Sequence, residues 1–264
     1  MNQSIEQEIL NAAGKLRVCW GVQGMPGRGM GSYNILPSGN MNLILRFSPC
    51  SCQLVLLGPV TELTRVEFDE SSDYLGIVFP CAEPPSLADV CPSELVDTFV
   101  DIPRLFGEDI GSLSERLLAL PDFVTRSRFL EAQLRGTGSL LRDKRCHLAT
   151  SVLEAHGGGL QIQALADGLG TTRRSLERLF RKELGLSPKQ LSRLVRFRRL
   201  LLNLNARIHG SLTELAVACG YADQSHMIRE FKEMTGRLPS EKAPHDLLEA
   251  HAGMHTRVSH HGAT

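Results

Sequence analysis

Two short segments of this 264-residue chain carry side chains suited to gripping and reading a nucleic acid. The first holds Arg173, Arg174, Glu177, Arg178 and Arg181, the second Gln224, Ser225, Ile228, Arg229 and Lys232. Spacing by three and four puts each set on one helix face, with Leu176, Leu179, Phe180 and Leu184, or Met227, Phe231 and Met234, on the other. Cationic heads displace the counterions condensed on phosphates, while a few correctly placed donors and acceptors distinguish bases. Arginine can pair bidentately with guanine and Gln224 with adenine; Glu177 can accept from cytosine and Ile228 can meet a thymine methyl. Two of these residues have competing readings: Glu177 as an intrahelical partner of Arg173 or Arg181, and Ile228 as a core contact.

The two segments belong to an internal repeat. Leu165-Ala166 recurs as Leu215-Ala216 and Gly170 as Gly220, at an offset of 50. Beyond the turn Arg178 recurs as Arg229, Phe180 as Phe231, Arg181 as Lys232, Gly185 as Gly236 and Pro188 as Pro239, at an offset of 51. Each copy predicts a short helix, a glycine turn and a second helix closed by glycine, with a proline beyond it. That is a helix-turn-helix outline, over 161–184 and again over 211–235. Thr171 or Thr172, and Asp223, are the expected N-caps. Between the copies, Pro188 to Leu204 predicts one long helix carrying Lys189, Arg193, Arg196, Arg198 and Arg199, of which Arg193 and Arg196 are expected on phosphates. Residues 171–207 hold 11 basic side chains against two acidic ones, Glu177 and Glu183, a bias that an ordinary solvated face does not show.

The elements that must position these groups follow from composition and pattern. Hydrophobic residues make up 42% of the chain and charged ones 22%, which supports packed cores and excludes a disordered polyelectrolyte. Formal net charge is zero, yet residues 1–143 hold 11 Lys+Arg against 18 Asp+Glu and residues 144–264 the reverse, 18 against 11. An acidic front and a basic back predict two jobs, the back one facing a polyanion. Strands are expected over Leu16 to Val22, Asn42 to Phe47, Gln53 to Leu57, Arg65 to Phe68 and Tyr74 to Phe79. Helices are expected over Ser93 to Phe99, Gly111 to Leu120 and Phe123 to Leu134. Gly136-Thr137-Gly138-Ser139 marks the expected boundary, giving a front domain 1–138 (barrel-like over 16–80, helices over 86–135), a helical domain 139–248 and a flexible tail 249–264.

Other candidates carry less. The glycine-rich stretch Gly21 to Gly31 lacks the lysine and hydroxyl residue of a phosphate loop and reads as a loop. Seven cysteines without a Cys-x-x-Cys pair read as reduced thiols; Cys50 and Cys52 with Cys81 or Cys91 form the alternative metal or redox sensor, against small buried thiols as the commoner arrangement. His245, His251, His255, His260 and His261 crowd the tail. No serine, cysteine or carboxylate constellation suggests an enzyme, and neither cofactor nor metal is expected. The amino terminus lacks the features of a secretory signal and no run approaches the ~20 apolar residues of a membrane span, so a cytoplasmic location is expected. A front-domain enzyme or sensor tethered to a DNA-binding anchor is the alternative reading.

From about Leu160 to Ala243 the chain resembles the DNA-binding domain of the AraC/XylS family of transcription regulators. The resemblance is carried by Ala164-Leu165-Ala166, the run Arg174 to Lys182, Gly185-Leu186-Ser187-Pro188, Ala216 with Gly220-Tyr221, and Arg229-Glu230-Phe231-Lys232 closing at Gly236 and Pro239. Met227 stands where the family usually has phenylalanine, and Glu241-Lys242 replace its usual tyrosine-arginine. Pro37-Ser38-Gly39-Asn40 before Asn42 to Phe47, with Gly58-Pro59 and Gly76 to Phe79, more loosely resembles the family's β-rich regulatory domain. The resemblance implies an α+β protein: a cupin-like front domain followed by helices, then an all-α domain with two helix-turn-helix units on a linker helix. It places base readers at Arg174, Glu177 and Arg178, and at Gln224, Ser225, Ile228 and Arg229. The partners it implies are double-stranded promoter DNA, a second copy of the chain joined through helices between Gly111 and Arg135, RNA polymerase under an activating mode, and a small-molecule effector.

Overall fold

Leu43, Leu45 and Phe47 are buried while Ile44, Arg46 and Ser48 between them are half-exposed, the period of two that a sheet covered on one face imposes. The computed structural model describes residues 4–10, 16–25, 27–83, 92–102, 104–105, 108–134, 143–206 and 211–239. The front half runs β1 (Ser4–Leu10), β2 (Leu16–Val22), β3 (Met30–Ile35), β4 (Met41–Ser48), β5 (Ser51–Leu57), β6 (Thr64–Asp69) and β7 (Asp73–Phe79). Then follow α1 (Pro92–Leu95), β8 (Phe99–Asp101), β9 (Arg104–Leu105), β10 (Glu108–Asp109), α2 (Ile110–Leu118) and α3 (Phe123–Leu134). Six strands form one antiparallel sheet in the order β1-β2-β7-β4-β5-β8, with β3 paired to β6 and β9 to β10 separately. Leu45 of the central β4 faces Leu54 on one side and Leu75 on the other.

Leu113 and Leu117 of α2 and Leu130 and Leu134 of α3 bury themselves in one cluster with Leu43, Leu45, Leu54, Leu75 and Ile77. The packing is pinned by polar contacts: Ser114 Oγ accepts the Cys52 N–H at 2.8 Å, and the Arg126 guanidinium lies 4.4 Å from the centre of the Phe47 ring.

The expected strands all form, Leu16–Val22 unchanged and the others with ends extended by one or two residues, and β1, β3, β8, β9 and β10 are added to them. The helix expected over Ser93 to Phe99 ends at Leu95. Asp97 adopts φ 55°, and its carboxylate accepts both the N–H and the O–H of Thr61 at 2.6 Å. Phe99 to Asp101 then pair with the otherwise open edge of β5, whose unpaired backbone groups outweigh the helical spacing. The cysteine grouping is also corrected. Cys50 is exposed in the turn before β5, Cys52 is buried among the sheet and α2 residues, and Cys81 is buried in a different cluster. No metal-holding group occurs among the described residues. Cys91, the boundary segment 136–139 and the five tail histidines lie outside them.

The back half comprises α4 (Lys144–Ala155), α5 (Ile162–Gly168), α6 (Arg173–Leu184), α7 (Pro188–Ala206), α8 (Leu212–Ala218) and α9 (Gln224–Thr235). Its core includes Phe180, Phe197 and Phe231, with the last two rings 5.8 Å apart, and it also takes in Leu36 and Cys81 from the front half. The His147 Nδ1 hydrogen bond to Ala82 O, 2.7 Å long, ties the two halves again. No helix among the described residues is long and apolar enough to cross a membrane.

Candidate nucleic-acid interface

The repeat seen in the sequence is reproduced atom by atom in the turns. Helices α5 and α8 have seven residues each, α6 and α9 twelve each. Thr171 N–H donates to Ala166 O at 3.0 Å, and Tyr221 N–H to Ala216 O at the same distance. Gly185 and Gly236 end α6 and α9 in the left-handed region, at φ 72° and 71°, and their N–H groups donate to Arg181 O and Lys232 O. At the other ends, Thr172 Oγ1 accepts from Ser175 N–H at 3.2 Å and Asp223 Oδ1 from His226 N–H at 2.7 Å. Thr172 rather than Thr171 is the cap.

These stops and starts orient the outer faces. On α6, Arg173, Arg174, Arg178 and Arg181 are exposed, whereas Glu177 is half-buried and pairs with Arg173 at 3.0 Å, the intrahelical alternative. On α9, Ser225, Arg229 and Lys232 are exposed. Gln224 is half-buried, its Oε1 accepting from Thr213 Oγ1 at 2.8 Å, and Ile228 is half-buried with one side against the core. Position for position, Arg173, Arg174, Glu177, Arg178 and Arg181 correspond to Gln224, Ser225, Ile228, Arg229 and Lys232, so the first unit is the more cationic.

The linker helix departs from expectation. Arg196 is 14% exposed, and its guanidinium donates to Gly158 O at 3.0 Å and to both carboxylate oxygens of Glu230 at 3.0 and 3.2 Å. Arg193 donates to Glu230 Oε1 at 3.0 Å and also pairs with Glu233. Phosphate contact requires free donors facing outward. Arg196 is 14% exposed with both Nη atoms engaged inside the fold, while Arg193, at 30% exposure, reaches the surface only in part.

Sequence reasoning missed Glu230, whose side chain is 9% exposed on α9 and which collects both arginines. The signal was present as a polar residue at a position where the first copy has Leu179. Beneath Arg196 lies Tyr221, its ring centre 5.4 Å away, and burial raises its hydroxyl pKa well above the usual value. Alongside this cluster a cleft of about 640 Å³ runs between the two units, lined by Arg173, Lys189, Arg193, Arg196, His226 and Arg229 among others. Glu230 and Glu233 also line it and answer Arg193 and Arg196, so Arg173, Lys189 and Arg229 carry its excess positive charge, the sign that attracts an anionic partner.

Residues 165–243 match the model of a family described as a helix-turn-helix domain. Over 139 residues the chain is 27% identical to the HTH-type transcriptional activator RhaS of Escherichia fergusonii, a match covering 51% of this chain and 48% of that protein. The chain thus spans about half the length of this curated relative. Among solved structures, an AraC-type DNA-binding domain-containing regulator from Chromobacterium violaceum is 26% identical, with 39% of this chain and 93% of that one covered and a TM-score of 0.35. ToxT from Vibrio cholerae O395 aligns over 91% of this chain and 96% of its own, at 12% identity and a TM-score of 0.41. The matched helix-turn-helix segment, the RhaS similarity and the repeat motifs agree in making the back half of the chain similar to the DNA-binding part of AraC-type transcription regulators.

Proposed function

We propose that the chain regulates transcription by sequence-specific binding of double-stranded DNA, inserting α6 and α9 into two successive major grooves on one face of the duplex. The observation that carries this reading is the equivalence of the two helices: same length, a side-chain cap at the start and a left-handed glycine at the end, a buried phenylalanine, and an exposed arginine at the sixth residue of each. Arg174, Arg178, Ser225 and Arg229 read bases, with Glu177, Gln224 and Ile228 contributing at the edges of the two faces. Arg173, Arg181, Lys232 and Lys189 hold phosphates. Successive major grooves recur every ~34 Å, so one protomer covers about 20 base pairs. Footprinting on a selected site tests this: protection of two adjacent grooves is expected, and protection of one alone contradicts it.

Residues 139–248 form the DNA-binding domain and 1–138 the regulatory domain in this reading, with the front half, cupin-like in its sheet, supplying the interface of a homodimer. The acidic charge of residues 1–143 supports that division, because it repels DNA and leaves the front half free for another task. The protein works in the cytoplasm, without catalysing a reaction, and contacts RNA polymerase from the promoter. Multi-angle light scattering of the full chain at tens of micromolar tests the dimer; a mass of 29.1 kDa, that of one chain, would contradict it. Against an effector site on the inner face of the sheet stands the packing of α2 and α3, whose leucines cluster there with those of the sheet.

A further inference from the structure

Glu230 occupies the position that Leu179 holds in the first unit, yet it is nearly as buried as a core residue. A buried carboxylate persists only when charge and hydrogen bonds answer it. Here the answer comes from another element: Arg193 and Arg196 of α7 both donate to Glu230 Oε1, and Arg196 reaches Oε2 as well. His226, one turn earlier on α9, brings Nε2 to 3.4 Å from Oε1. The second Arg196 nitrogen bonds Gly158 O, in the segment between α4 and α5 that leads into the first unit. One carboxylate therefore joins the second recognition helix to the linker helix and, through a single guanidinium, to the approach of the first. Apolar contact of the Leu179 kind holds two helices together without fixing their angle, whereas charge-assisted hydrogen bonds from two guanidinium groups, Arg193 Nε and Arg196 Nη2, are directional.

We infer that Glu230 is a positioning residue that sets α9 at a fixed angle to α7 and so determines which spacing between two half-sites the protein accepts. The inference rests on the two-groove reading above. The arginines that would be phosphate ligands on an isolated linker helix are instead consumed in presetting the geometry before DNA arrives, which lowers the ordering cost of binding.

The test uses the full chain and a duplex selected by the wild-type protein from random DNA, together with versions carrying extra base pairs between the halves. Inserting about five base pairs, half a helical turn, should weaken wild-type binding by ~100-fold. Glu230→Gln should bind the selected duplex ~10-fold more weakly and discriminate against the insertion only ~10-fold. Glu230→Leu alone leaves Arg196 buried without its counter-charge, so the double variant Glu230→Leu/Arg196→Leu serves as the stability control. It should melt close to wild type, since removing both buried charges is near neutral, and should still have lost the spacing preference. Without any DNA, spin labels introduced as non-canonical amino acids at Arg181 and Lys232 should give one narrow distance distribution in wild type and a broadened one in both variants. Wild-type spacing preference with an unchanged distance distribution in both variants would overturn the inference. A wild-type chain that selects no DNA would instead sink the two-groove reading, and the label distances would still decide what Glu230 does.

Discussion

Thr172 and Asp223, 51 residues apart, close the amino-terminal ends of α6 and α9 in the same way, each accepting the N–H of the residue three positions on. Each satisfies a donor that the helix itself leaves open. Thr172→Ala and Asp223→Ala should each destabilise the protein by ~1 kcal/mol. Asp223→Ala should cost more, because its bond is charged and shorter, 2.7 against 3.2 Å. Urea denaturation of the two variants measures both values and their order.

How much of this was legible in the sequence differs between the halves, for a physical reason. Helix signals are local: caps, glycine stops and three-to-four spacing lie within a few residues, so α5, α6, α8 and α9 could be read off as a repeat. Strand β8 could not, because Phe99 to Asp101 become a strand only when the distant edge of β5 offers partners. The same holds for Arg193 and Arg196. On an amphipathic helix they read as a solvated basic face, and only the packing of α9 brings Glu230 against them.

Phe180 and Phe231 are the repeated anchors of the two units, 0% and 1% exposed. Truncating either to alanine leaves a cavity that neighbouring helices cannot fill, at a cost of about 3–5 kcal/mol. Calorimetry should show the loss for both, and for Phe231→Ala the tilted contact with Phe197 goes as well.

The thiols should differ sharply in reactivity. Burial pushes Cys52 and Cys146 up to about 12 and raises Cys81 and Cys219, whereas Cys50 is exposed. The thiolate is the reactive form. Timed alkylation at pH 8 with peptide mass spectrometry should therefore label Cys50 well before the other four.

Asp143 caps α4, and its hydrogen bonds with the Arg145 side chain and backbone lower its carboxyl from 3.8 to about 2. A depressed carboxyl contributes stability above its unfolded-state pKa and loses it as pH falls through the folded one, here between about pH 4 and pH 2. Solvent screening keeps the effect small. Asp143→Asn retains a capping side chain but cannot titrate, so its acid-unfolding curve should be shallower than wild type in that window.

Arg178 and Arg229 carry the central claim, that each unit reads DNA. Selection of binding sites from random duplexes with wild type, Arg178→Ala and Arg229→Ala tests it most directly. Each replacement should relax the preference at one position of its own half-site, losing about 1–3 kcal/mol of discrimination there, and leave the other half-site unchanged. Unchanged base preferences in both folded variants would contradict the account.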